Sequence, residues 1–246
     1  MLLVCLCAHS MVAQNNGRIT YAICPLADGV RFSDVLDTLP GSTDEKRLMN
    51  EVGGLIEAAT PNLLFELTFS PAGSQFQSAI DVTVNPDADI GMQMAQMMYG
   101  GREITFQRPT ERVRHLEWDG APLNVVDTSQ IHWTIAPDTV REIANHSCQL
   151  AQGTFYAYSR KAQGYTKRTT WAWFAPELPL PYGPNELRGL PGLILAAPVT
   201  IGDEYCAVEI ALGDQFAPEL ELLELGKTVT EEEYRQFMEM RVGRRQ

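Results

Sequence analysis

Positive charge is in short supply in this chain. Lys and Arg total 19 against 31 Asp and Glu, a formal net charge of −12 over 246 residues. A field of that sign repels polyanions, so nonspecific nucleic-acid binding is excluded as a leading role, and an anionic membrane would be met against the overall charge. Long apolar runs are missing too: no stretch approaches the ~20 residues a bilayer-crossing helix requires. Cysteine is sparse, and Cys24, Cys148 and Cys206 lie too far apart to form CxxC or another close zinc-ligand spacing. There is no GxSxG elbow and no Gly-rich phosphate or dinucleotide loop. Repeats, heptads and low-complexity segments are likewise absent. These absences predict a noncatalytic protein that needs no cofactor.

What is present begins with an apolar opening, "MLLVCLCAHSMVAQNNG", which ends in a small-residue exit at Ala13-Gln14. It predicts a secretory signal peptide over residues 1–14 and a single domain over 15–246, although no basic residue precedes the apolar run. A buried first strand is the alternative. Removal of the signal leaves Cys24, Cys148 and Cys206, which allow three alternative disulfides with one thiol over. The 45% hydrophobic content suffices for a core.

Along the chain, "RITYAIC" reads as a strand. Ser42 and Glu45 form a capping box for a helix whose apolar face is Leu48, Val52, Leu55, Ile56 and Ala59. Leu63, Phe65, Leu67 and Phe69 then alternate with polar neighbours, as in a strand with one buried face, and Pro71-Ala72-Gly73 turns toward a partner strand. The Met-rich run "DIGMQMAQMMYGG" is a short helix or flap whose methionines pack rather than bind metal. From Arg102 onward the pattern is β. Turn signals at Pro109, Gly120, Pro137 and Gly153 are spaced like an antiparallel meander, and strands on either side of the basic connection "SRKAQGYTKR" follow. Thr230 caps a terminal helix. The expected fold class is α+β and β-dominated: an antiparallel curved sheet, half-barrel-like, with a few covering helices.

The most distinctive stretch runs from Ala172 to Leu195. Pro176, Pro179, Pro181 and Pro184 fix φ and remove amide donors, which holds the chain extended and bars it from a sheet interior. Ala172, Trp173, Phe174, Pro179, Gly183, Pro184 and the run Gly189, Leu190, Pro191, Gly192, Leu193, Ile194, Leu195 resemble the GLPGLI family, exported Bacteroidetes proteins of uncharacterised function. The resemblance covers roughly residues 131–212. Leu187 stands where an aromatic residue is common in that family, and Ala196 to Gly202 replaces a tighter acidic turn. The resemblance implies an envelope location, periplasmic or at the outer membrane, and association with TonB-dependent transport. The residues themselves favour a rigid corner that braces the sheet over a direct binding role.

Few other groups carry chemistry. His115, Glu117 and Asp119 share a face on a regular strand and are the candidate metal ligands, although a solvated strand face explains them equally. Three readings follow. The first is a noncatalytic extracytoplasmic protein holding a lipid or apolar peptide in a sheet concavity. The second is an accessory that docks to an outer-membrane transport or secretion component. The third is a metal-dependent enzyme built on His115, Glu117 and Asp119.

Overall fold

A computed structural model describes residues 16–26, 42–80, 90–159, 161–200 and 202–243. The expected signal peptide at 1–14 lies outside the described residues. Strands β1 (Gly17–Pro25), β2 (Leu64–Ser70), β3 (Gly73–Ser78), β4 (Ile104–Gln107), β5 (Arg112–Trp118) and β6 (Ala121–Asp127) are followed by β7 (His132–Ile143), β8 (His146–Ser159), β9 (Gly164–Ala175), β10 (Leu193–Thr200), β11 (Asp203–Leu212) and β12 (Lys227–Thr230). They form one sheet in the order β12-β6-β5-β4-β3-β2-β1-β11-β10-β9-β8-β7. Helices α1 (Thr43–Ala59), α2 (Ile90–Met98) and α3 (Glu231–Gly243) complete a β-dominated α+β fold. The antiparallel expectation fails at one edge, where β12 runs parallel to β6. The chain arrives there through a long connection rather than a hairpin, and only a hairpin enforces antiparallel pairing.

The curvature follows from one short link. β6 is second in the sheet and β7 twelfth, ten strand spacings apart, which is about 48 Å across a flat sheet. Yet only residues 128–131 join Asp127 to His132, and five Cα steps reach about 18 Å at most. The open sheet must therefore curl until its ends approach. Cross-contacts agree: on α3, beside β12, Arg235 sits 4.3 Å from the centroid of the Tyr158 ring on β8.

The alternating strand pattern delivers its apolar face to the main core. Leu63, Phe65, Leu67 and Phe69 are all buried, together with Ile19, Tyr21, Phe76 and Tyr205. Tyr205 packs edge-on against Phe65 and Phe76, whose own rings stack 5.5 Å apart. Met92, Met94 and Met98 of α2 lie on this cluster, in keeping with packing rather than metal binding. The Ser42–Glu45 capping box forms as expected. Its helix is rolled, however: Gly53, Ile56 and Ala59 are buried while Leu48 and Leu55 face solvent. The face formed by Gly53, Ile56 and Ala59 lies inward, and α1 packs against α2.

Two expected turns lie inside strands. Pro137 sits in β7, where the register shifts between Ala136 and Val140, so a bulge absorbs the missing amide. Gly153 lies midway along β8 opposite Trp133, and a Cβ there would come within 2.7 Å of the indole ring. Close packing, not a turn, explains that glycine.

Candidate functional site

The proline track alternates between interior and surface and is buried mainly from Tyr182 onward. Tyr182, Gly183, Pro184, Leu187, Arg188, Leu190 and Gly192 are buried, and Pro176, Pro179, Gly189 and Pro191 face solvent. No strand covers 176–192, so its carbonyls cannot pair in the sheet and need other donors. Backbone amides supply some, from Leu193 to Leu178 O, Gly189 to Pro181 O, Ile194 to Tyr182 O and Leu187 to Pro184 O, and side chains supply others. Gln107, fully buried at the end of β4, donates through Nε2 to the carbonyls of Gly183 (3.0 Å), Asn185 (2.6 Å) and Leu187 (3.1 Å), and its Oε1 accepts from Gly183 N. Trp133 Nε1 donates to Arg188 O at 2.8 Å, and Tyr21 Oη donates to Ile194 O at 2.6 Å. Arg188 in turn donates to Ser129 O (2.6 Å) and Asp127 O (3.4 Å), in the link between β6 and β7.

These bonds tie the two ends of the curled sheet together across the track. At its exit Gly192 passes so close to β9 that a Cβ would lie 2.2 Å from Ala175 O. Beyond it Leu193, Ile194 and Leu195 enter β10 fully buried, as the sequence predicts. Near the end of β9, Ala172 and Phe174 join a cluster with Leu187, Leu190, Ile194 and Trp133, while Trp173 packs on the main core. The space expected to hold an apolar ligand is thus occupied, among the described residues, by the aromatic core and the protein's own track.

Sequence reasoning missed Gln107 and Arg188. In "ITFQRP" the glutamine follows the apolar Phe106 and reads as the solvent side of a strand. No local signal marks it, because the burial of both faces at the end of β4 is set by the fold.

The candidate metal ligands do not converge. His115 and Glu117 lie on β5, but the strand ends at Trp118 and Asp119 enters the turn with φ 51°, followed by Gly120 at 78°. An Asp-Gly hairpin turn of this kind removes Asp119 from the shared face. His115 Nδ1 is 2.7 Å from Asn124 Oδ1. An open cleft of about 320 Å³ lies beside them, lined by Arg102, Ile104, His115, Glu117 and Pro122 among others. Among the described residues no group of three or more His, Cys, Asp and Glu is placed to hold a metal.

The cysteines divide as one bridge and one thiol. Cys24 and Cys206 are disulfide-bonded across β1 and β11, their Cα atoms 6.0 Å apart. Cys148 is free and buried, and His146, two residues away, pairs with Glu177. This neighbourhood has the composition of a thiol-histidine-carboxylate site. Its chemistry points the other way, since burial and then the Glu177 charge push the thiol up to about 11. Cys148 is a packing residue.

The distal part of the β8–β9 hairpin is open. Tyr156 pairs with Lys167 and Tyr158 with Tyr165, so these four share one face of the sheet. Tyr156 and Tyr165 are 62% and 60% exposed.

Residues 137–196 match the family model of a protein of unknown function (Porph_ging), a Bacteroidetes-associated family. The window takes in most of β7, the β8–β9 hairpin, the track and the start of β10. No curated protein matches the chain. A solved structure of PNGF-II, in a P21 crystal form, is similar over 90% of this chain with a TM-score of 0.52 and 11% identity. The chain spans 32% of that protein's length, and the likeness is one of fold.

Proposed function

We propose that the protein is a noncatalytic docking module of the cell envelope, exported and acting beside an envelope transport or secretion component, with its interior reserved for its own chain. One observation carries this reading above the internal-carrier alternative: the hollow of the curled sheet is filled by the track that Gln107, Trp133 and Tyr21 hold in place. A side chain that satisfies several buried carbonyls is costly to displace, so a ligand would have to break the brace in order to enter. The disulfide between Cys24 and Cys206 supports an oxidising compartment and hence export. The noncatalytic reading rests on the high pKa of Cys148 and the separation of Asp119 from His115 and Glu117.

Native mass spectrometry of the protein purified gently from its own envelope tests the reading. The expected spectrum is the bare polypeptide, shortened by its leader, with one disulfide and one thiol. A stoichiometric extra mass that extracts into organic solvent would instead establish an apolar-ligand carrier.

A further inference from the structure

Charge is distributed very unevenly in this acidic protein. From Ile143 to Pro176 the chain carries no Asp or Glu, but it does carry Arg160, Lys161, Lys167 and Arg168. With four of the 19 cations removed, the remainder holds 15 against 31 acidic residues, a balance of −16. Several cations elsewhere are paired within the fold: Arg18 with Glu66, Arg112 with Asp127, Arg114 with Glu103 and Glu231, Arg141 with Glu204, and Arg235 with Glu232 and Glu239, whereas Arg102 and Lys227 make no ion pair among the described residues. Lys161, Lys167 and Arg168 make no ion pair among the described residues.

Their placement matters as much as their sign. Lys167 lies on the face of Tyr156, Tyr158 and Tyr165, Arg168 pairs with Phe155 on the opposite face, and Lys161 lies in the connecting turn. The end of the hairpin is therefore cationic on both faces and at its tip, with two largely exposed phenol rings between the charges. A linear polyanion is gripped along one face. A surface of many anionic groups, entered end-on, is met from both sides at once. Tyrosine belongs at such an interface, with its ring among the headgroups and its hydroxyl in water, and lysine and arginine reach the phosphates from longer stems.

We propose that the distal β8–β9 hairpin, through Lys161, Lys167, Arg168, Tyr156 and Tyr165, docks the protein onto an anionic phospholipid surface. This rests on the reading that the protein works through its exterior. The acidic remainder is repelled by the same surface, including α3, whose Arg235 lies over the Tyr158 ring with Glu232 and Glu239 paired to it beside the tip. The hairpin therefore approaches with Lys161, Lys167 and Arg168 leading, and the binding is oriented and reversible. Each cation near such a surface contributes about fivefold to partitioning. The attraction fades over a Debye length of about 8 Å at physiological salt.

Vesicle co-flotation of the full protein tests the proposal. The protein is expected to float with phosphatidylglycerol-rich vesicles and not with pure phosphatidylcholine, and to be released as salt is raised. Joint charge reversal, Lys161→Glu, Lys167→Glu and Arg168→Glu, is expected to lower partitioning by on the order of a hundredfold or more. Tyr156→Ser with Tyr165→Ser is expected to weaken binding several-fold without changing its salt dependence. Arg47→Glu, a single reversal on α1 where Asp44 and Glu51 already flank the arginine, is expected to leave it within about twofold. Equal flotation with neutral vesicles, failure to float with anionic ones, or full binding by the triple variant would overturn the proposal. So would retention on an immobilised acidic polysaccharide without vesicle binding, which would assign the hairpin to a glycan. If the triple variant fails to fold, salt release of the unmodified protein decides. A negative result leaves the native mass spectrum of the closed interior untouched, so the two readings fail separately.

Discussion

The proline track and the β8–β9 hairpin end lie next to each other in sequence and are built on opposite principles. The track has lost amide donors to its prolines, and its carbonyls are bound partly by scattered backbone amides and partly by the side chains of Gln107 and Trp133. The hairpin satisfies its backbone in the ordinary ladder, which leaves its side chains free to face solvent. A distinctive motif is therefore not automatically a working surface. Here the motif spends its side chains on holding the sheet closed, and the plain hairpin beside it has chemistry to spare.

Breaking the closed half should cost most at Gly192. Gly192→Ala drives a Cβ to 2.2 Å from the Ala175 carbonyl oxygen, a backbone atom that cannot move aside. A loss of about 4 kcal/mol or more, or insoluble protein, is the expected outcome in a denaturant melt. Next comes the bridge between Cys24 and Cys206, which closes a loop of 182 residues. Its reduction should lower stability by about 3–5 kcal/mol, read as a shift in the urea midpoint on adding reductant. Gln107→Leu keeps the volume and removes the donor that three carbonyls share, with an expected cost of about 3 kcal/mol.

The acid limb of the pH profile should also report on the brace. Burial works against the Asp127 carboxylate, but Arg112 and the Ser129 hydrogen bonds outweigh it and hold its pKa below the usual value. A folded pKa lower than the unfolded one stabilises the protein above the unfolded value of about 3.9, and that contribution is lost as pH falls through the folded value. Asp127→Asn should therefore lower stability at neutral pH and flatten the acid slope, measured by melts at stepped pH. Smallest of all should be Tyr165→Ser in the open hairpin, within about 1 kcal/mol of the unmodified protein. A larger loss there would dissolve the contrast between the two regions.

Local features were the legible ones. The alternation of Leu63, Phe65, Leu67 and Phe69 predicted β2 and its buried face, and the Ser42–Glu45 box predicted the start of α1. The buried entry of Leu193 to Leu195 was readable because the glycines and prolines before it constrain the backbone wherever they stand. Long-range features were not. Gly153 looks like a turn until Trp133, twenty residues earlier, is known to cover it. Asp119 looks like a strand residue until its turn type is known. Gln107 gives no sign of its role, because its partners lie 76 to 80 positions away. The cysteine pairing has the same cause: three cysteines fix no geometry until β1 and β11 are placed side by side. The acid-free stretch around the hairpin is visible in the sequence, but the internal pairing of several other cations, which sharpens the contrast, is not.

Hydrogen–deuterium exchange on the unmodified protein tests the closed interior most directly. The amides of Gly183, Gly189 and Ile194 are bound to Gln107 Oε1, Pro181 O and Tyr182 O, respectively. They are predicted to exchange as slowly as the central strands β1 and β11, and far more slowly than residues 156–166 of the hairpin. A track that exchanges as fast as the hairpin end would mean that the interior opens readily, and would contradict the account.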